Sequence, residues 1–170
     1  MSSGRQDAKA AAFAALHVGD PFVIPNPWDA GSARVLEALG FGALATTSSG
    51  LAFALGRLDG GATLDEVCRH IASLDRATGL PISADLENGY GPQPEDAAQA
   101  VTAAAEAARG LGFPFLLTAR AENHIRGHPD LEDTIARLQA FEAAGADVLY
   151  APGLRSVAEI GAVCGRCPSR

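Results

Sequence analysis

Cysteine is scarce in this chain. Only Cys68, Cys164 and Cys167 occur, a sparse and odd set that builds no disulfide framework and fits a reducing cytoplasm. Basic charge is also short, with 13 lysines and arginines against 20 acids and a net charge of −7. Non-specific nucleic-acid binding needs a basic face, so that class of partner is excluded. No apolar run reaches the length of a membrane span, so no membrane role is expected. The first seven residues lack an apolar core after a charged start and do not read as a signal peptide.

What is present suits a folded α/β domain. The chain has 170 residues, 48% of them hydrophobic, which is enough for one domain with a core and unlike a disordered composition. Short apolar runs alternate with alanine-rich helical stretches. Helices are expected over residues 8–16, 30–39, 64–78, 95–109 and 131–144, with a last one from near Ser156. Asp29 is placed to cap the second. Gly40 is placed to end it. Thr63 and Glu66 form a capping box for the third, and Pro94 opens the fourth. Strands are expected over 22–24, 43–46, 80–84, 113–119 and 147–150. The stretch 47–51 reads as a loop of small hydroxyls and glycine, Asp59-Gly60-Gly61 as a turn, and 165–170 as a loose tail. Strand and helix alternating five times imply a parallel sheet with right-handed crossovers.

The acidic stretch Asp85-Leu86-Glu87-Asn88-Gly89-Tyr90-Gly91 ends the third strand. On an extended backbone Asp85 and Glu87 point the same way, and the glycines let the chain turn. Two carboxylates at a strand end suit a hard cation such as Mg²⁺, although solvated acids in a loop would look the same. Parallel α/β folds carry their sites on the C-terminal edge of the sheet. Trp28, Ser48, Ser49, Asp59, Asp85, Glu87, Arg120, Glu122 and Asn123 all follow strands and are candidates to converge there. Cys164-Gly165-Arg166-Cys167 lacks the two further ligands zinc needs and the strand-to-helix setting of a redox pair. His124 and His128 fall in a loop containing proline and glycine rather than on a helix, so they read as surface residues.

Five motifs in order resemble the isocitrate lyase and phosphoenolpyruvate mutase superfamily. They are Asn26-Pro27-Trp28-Asp29-Ala30-Gly31-Ser32-Ala33, Thr46-Thr47-Ser48-Ser49-Gly50, the run from Ala84 to Gly91, Thr118-Ala119-Arg120-Ala121-Glu122-Asn123, and Gly145-Ala146-Asp147-Val148-Leu149-Tyr150-Ala151-Pro152-Gly153. The resemblance spans about residues 13–160. It implies a TIM-barrel-type (β/α) fold, a Mg²⁺ cofactor and a small 2-oxo or 2-hydroxy carboxylate as substrate, with a C–C or C–P bond broken or made through an enolate. It assigns the amides of Ser49, Gly50 and Leu51 to the substrate carboxylate and Trp28 to the pocket. Asp59 becomes an acid of the catalytic loop, Asp85 and Glu87 become metal ligands, and Arg120 reaches the substrate oxygens.

The chain also departs from that pattern. The family places a further strand, ending in a Glu-Asp pair that adds an acid to the metal site, before the strand that leads to Arg120. Here Ala108-Arg109-Gly110-Leu111-Gly112 runs straight into Phe113. The loop that closes the site belongs to the same missing stretch, and about five of eight βα units are expected. Exposed strand edges then predict self-association as a homo-oligomer, a truncated sequence, or a five-stranded open sheet of another topology. Three functional readings follow: an active lyase or mutase, an inactive remnant of one, or a carboxylate-binding module of the same fold.

Overall fold

Helix starts are fixed by side chains that accept backbone N–H groups. Asp29 accepts from Ser32 and caps α2 (Ala30–Ala38). Thr63 and Glu66 complete the expected capping box on α4 (Leu64–Ala77). Asp130 caps α6 (Leu131–Ala143), and Ser156 with Glu159 forms a second box on α7 (Val157–Arg166). Each such cap satisfies donors that a helix start leaves without partners. Gly40 takes the left-handed conformation expected of it, with φ +89°.

The computed structural model describes residues 3–90 and 97–167. Pro94, Glu95 and Gly91, which the sequence places at the opening of the fourth long helix and the end of the acidic stretch, lie outside the described residues. The remaining elements are α1 (Ser3–Leu16), β1 (Leu44–Ala45), α3 (Ser48–Ala54), β2 (Ile82–Ser83), α5 (Ala97–Arg109), β3 (Thr118–Arg120) and β4 (Val148–Tyr150). Contacts divide the chain into two units, Met1–Pro92 and Gln93–Arg170.

In the first unit β1 and β2 pair in parallel, Leu44 opposite Ile82 and Ala45 opposite Ser83. Ala33, Leu44 and Leu74 are fully buried and pack with Leu36, Leu80 and Ile82, which joins α2 and α4 to the strands. Leu51, Ala62 and Val67 form another cluster with Ile71 and Tyr90. Helix α1 starts earlier than its alanine run suggests. Its Arg5 and Lys9 donate to the Thr78 carbonyl just past the end of α4, and Lys9 Nζ also meets Asp75 Oδ1 at 2.6 Å. Cations at a helix C-terminus are favoured by its dipole and its spare carbonyls.

In the second unit β3 and β4 pair in parallel, Thr118 opposite Val148 through Arg120 opposite Tyr150. Their core is Ala119, Ala121, Ile135, Leu138, Phe141, Ala146 and Cys167. Arg109 brackets Asp147 at 2.9 Å, and the Leu117 N–H donates to the same carboxylate.

Several expectations change. Residues 22–24 form no strand, because Pro21, Pro25 and Pro27 surround them and proline has no N–H for a ladder. The segment joins β1 through the Pro25 carbonyl, which accepts the Ala45 N–H at 3.1 Å, and the Asn26 side chain, which donates to the Ala45 carbonyl at 3.0 Å. The strand expected over 113–119 shrinks to Thr118–Arg120, with Pro114 upstream and the Leu117 N–H turned to Asp147. Residues 48–51 are the first turn of α3 rather than a loop, since the Thr47 side chain accepts the Gly50 N–H and caps a helix there. At the far end, Gly165 and Arg166 belong to α7 and Cys167 is buried, so order extends further than expected; residues 168–170 lie outside the described residues. The architecture is mixed α/β with parallel strand pairs, as the strand–helix alternation implies.

Candidate functional site

The first unit gathers its candidate residues where β1 and β2 end. After β1 the chain runs through Thr46 and Thr47 directly into α3. After β2 it reaches Asp85. The two exits are tied together. Asp85 donates its N–H to Thr46 Oγ1 at 2.7 Å, and its Oδ2 accepts the Ser48 N–H at 3.2 Å. Its Oδ1 accepts the N–H of Glu87 at 3.0 Å. One carboxylate thus holds the start of α3 and the start of its own loop.

Asp59 joins from the turn after α3. Its Oδ1 accepts the Gly60 N–H at 3.1 Å and lies 3.5 Å from Ser48 Oγ. Glu87 Oε1 accepts the Tyr90 hydroxyl at 2.8 Å. Burial first, then that hydrogen bond and the charges of Glu87, Asp85 and Asp59, push the Tyr90 hydroxyl above its usual value. Tyr90 is therefore neutral at ordinary pH and donates to Glu87.

The loop is coiled, not extended. Glu87 has φ +49° and Tyr90 φ +57°, so strand alternation does not apply and the shared direction expected of Asp85 and Glu87 does not follow from it. Left-handed backbone at a non-glycine residue costs about 1–3 kcal/mol and persists only where neighbours enforce it. Here the Asp85 and Asn88 side chains accept the N–H groups of Glu87 and Tyr90.

Trp28 is 53% exposed and lies against Gly50. A Cβ at Gly50 would stand 3.0 Å from Trp28 Nε1 and 2.5 Å from the Thr47 methyl. The three amides assigned to a substrate carboxylate differ in their engagement. Gly50 N–H goes to Thr47 Oγ1 at 3.2 Å and Leu51 N–H to the Thr47 carbonyl at 3.0 Å. Both close the first turn of α3, and the Leu51 side chain lies in the core.

Arg120 belongs to the second unit, at the end of β3. Its guanidinium meets Glu122 at 2.8 Å, and Glu122 also holds Arg126 at 2.8 Å. Asn123 braces the following loop, donating to the carbonyls of His128 and Asp130 and to Thr134 Oγ1.

Sequence reasoning missed Thr46, Thr47 and Tyr90 as site residues. Thr46 is buried, and a polar residue closing an apolar strand was the available signal. Tyr90 sits between two glycines three residues after Glu87, and no pattern announces its bond to Glu87.

Among the described residues no group of three or more His, Cys, Asp or Glu side chains is placed to hold a metal ion. Mg²⁺ does not require one, because it keeps several waters and is commonly bound through one or two carboxylates and substrate oxygens. Asp85 and Glu87 supply hard oxygen donors of that kind. A carboxylate has about four acceptor sites, more than the two N–H bonds from Ser48 and Glu87 use. The donor set fits Mg²⁺.

The family model for phosphoenolpyruvate phosphomutase matches residues 13–108 and 93–170. The structure resembles that of a Burkholderia cenocepacia J2315 protein described as a lyase/mutase, at 45% identity and TM-score 0.92, covering 97% of this chain and 72% of that one. It also resembles 2,3-dimethylmalate lyase, a member of the PEP mutase/isocitrate lyase superfamily, at 26% identity and TM-score 0.82, covering 93% of this chain and 68% of that one. In sequence it is 30% identical over 173 residues to oxaloacetate decarboxylase from Bradyrhizobium diazoefficiens, covering 80% of this chain. The chain spans 60–62% of the length of the curated relatives it matches.

Proposed function

The chain belongs to the phosphoenolpyruvate phosphomutase family, within the PEP mutase/isocitrate lyase superfamily, and from that premise we propose that it is a Mg²⁺-dependent lyase or mutase. Its substrate is a small 2-oxo or 2-hydroxy carboxylic acid, and the bond broken or made is C–C or C–P. The observation that carries this reading is the Asp85 carboxylate, which joins the start of α3 to the acidic loop through Ser48 and Glu87. Two relatives support the substrate class. One is named for oxaloacetate, a 2-oxo acid, and the other for 2,3-dimethylmalate, a 2-hydroxy acid.

Asp85 and Glu87 would hold the cation. When bound, Mg²⁺ supplies positive charge where negative charge develops on the enolate oxygen. The protein's own groups do the rest. Of the three amides assigned to the substrate carboxylate, those of Gly50 and Leu51 are bonded to Thr47, so the Ser49 amide at the first turn of α3 is the one that would meet it. Trp28 lies against Gly50 and would line that side of the pocket. Asp59 stands beside Ser48 as the acid of the neighbouring turn, placed to hold or pass a proton. Arg120 is assigned to the substrate oxygens on the resemblance alone, and its planar, permanently charged fork suits a carboxylate.

The test is turnover of a panel of 2-oxo and 2-hydroxy acids with and without Mg²⁺. Turnover that needs Mg²⁺ and disappears in Asp85→Ala is expected. Equal turnover by Asp85→Ala would refute the metal role. A second reading, a carboxylate-binding module without chemistry, is favoured by the lack of a three-residue metal cluster among the described residues. It predicts binding of a carboxylate that is indifferent to Mg²⁺.

A further inference from the structure

Glu87 and Tyr90 are three residues apart. On an extended chain, residues at odd spacing face opposite ways and three steps span about 10 Å. Their side chains nevertheless meet at 2.8 Å. The left-handed turns at Glu87 and Tyr90 bring them together, and three local bonds hold the coil. Asp85 Oδ1 accepts the Glu87 N–H, Asn88 Oδ1 accepts the Tyr90 N–H, and the Leu86 carbonyl accepts the Gly89 N–H at 2.7 Å.

The Tyr90 ring packs against the cluster of Leu51, Ala62 and Val67. It is therefore fastened to the helices beneath the site while its hydroxyl reaches the loop above. Glu87 is the mobile partner, since a glutamate has three rotatable side-chain bonds. The hydroxyl takes up Oε1. Oε2 lies 3.8 Å from where a Cβ of Gly60 would stand, beside Asp59. The two oxygens of Glu87 thus have different surroundings, and only one of them is occupied by Tyr90.

We propose that Tyr90 is a positioning residue, whose hydroxyl locks one oxygen of the Glu87 carboxylate and so leaves the other to a divalent cation. The inference rests on the metal role proposed above for Asp85 and Glu87. Mg²⁺ demands near-ideal octahedral geometry, and hydrogen-bonded supports of metal ligands commonly govern affinity by about 10–100-fold. Tyr90 supplies that support here from the core side.

The experiment is titration of the full chain with Mn²⁺, followed by electron paramagnetic resonance without substrate, with Mg²⁺ as competitor. Tyr90→Phe keeps the ring and removes the hydroxyl. Its Mn²⁺ dissociation constant is expected to rise about tenfold, at the lower end of such effects, while its melting temperature in chelator stays near that of the wild type. In a Glu87→Gln background the same change is expected to add nothing, which a merely structural role would not produce. Wild-type affinity in Tyr90→Phe overturns the proposal and leaves the metal reading standing. No Mn²⁺ binding by the wild type overturns both.

Discussion

A methyl group at Gly50 would press on the Thr47 methyl at 2.5 Å and on Trp28 at 3.0 Å. Gly50→Ala therefore forces either the cap of α3 or the indole to move. Overpacking of this kind costs about 1–3 kcal/mol, so the urea midpoint should fall by a corresponding amount. An unchanged midpoint would mean that Trp28 yields freely. Thr46→Val tests the other side of the site. It keeps the shape but removes the acceptor of the Asp85 N–H, at a cost of about 1–3 kcal/mol if that group stays unsatisfied. A stability equal to the wild type would show that water replaces the hydroxyl. At this scale the sequence disclosed the carboxylates and Trp28 but not their supports. Thr46 and Tyr90 act through bonds to Asp85 and Glu87, and such bonds depend on tertiary placement that no spacing rule encodes.

Helix starts were legible because caps are local chemistry. Thr63 and Glu66 meet across one turn wherever α4 goes. Arg57 first, then Thr63, holds the Glu66 carboxyl down at about 2 from an ordinary 4.5. A depressed carboxylate contributes stability that is present above its unfolded value and is lost as pH falls through the folded one. The wild type should therefore exceed Glu66→Gln in stability above about pH 4.5. The gap should close between there and about pH 2, as read from urea unfolding at each pH. A gap independent of pH would contradict the role of the charge. Helix α3 was missed because Ser48-Ser49-Gly50 is weak helix sequence, and Thr47 as a cap outweighs it only in context. The strand over 22–24 was overread because apolar residues suggested pairing that the flanking prolines prevent. The extended reading of Asp85 to Glu87 failed for a related reason, since left-handed backbone at Glu87 is stabilised by contacts the sequence does not display.

At the scale of the whole molecule, strand–helix alternation and five ordered motifs were sufficient for the α/β class and the family. Both rest on features spread along the chain and tolerate errors at individual boundaries. The central claim is that Asp85, Glu87 and the start of α3 form a site for a cation and a carboxylate together. Thermal unfolding of the full chain with Mg²⁺ alone, oxalate alone and both tests it most directly, with oxalate standing in for a pyruvate enolate. A ligand at 100 times its dissociation constant adds about 2.7 kcal/mol, which is a shift of several degrees for a chain this long. The account predicts that this rise requires Mg²⁺ and oxalate together. A cooperative melt that neither ligand moves, or that oxalate raises fully without Mg²⁺, would contradict it.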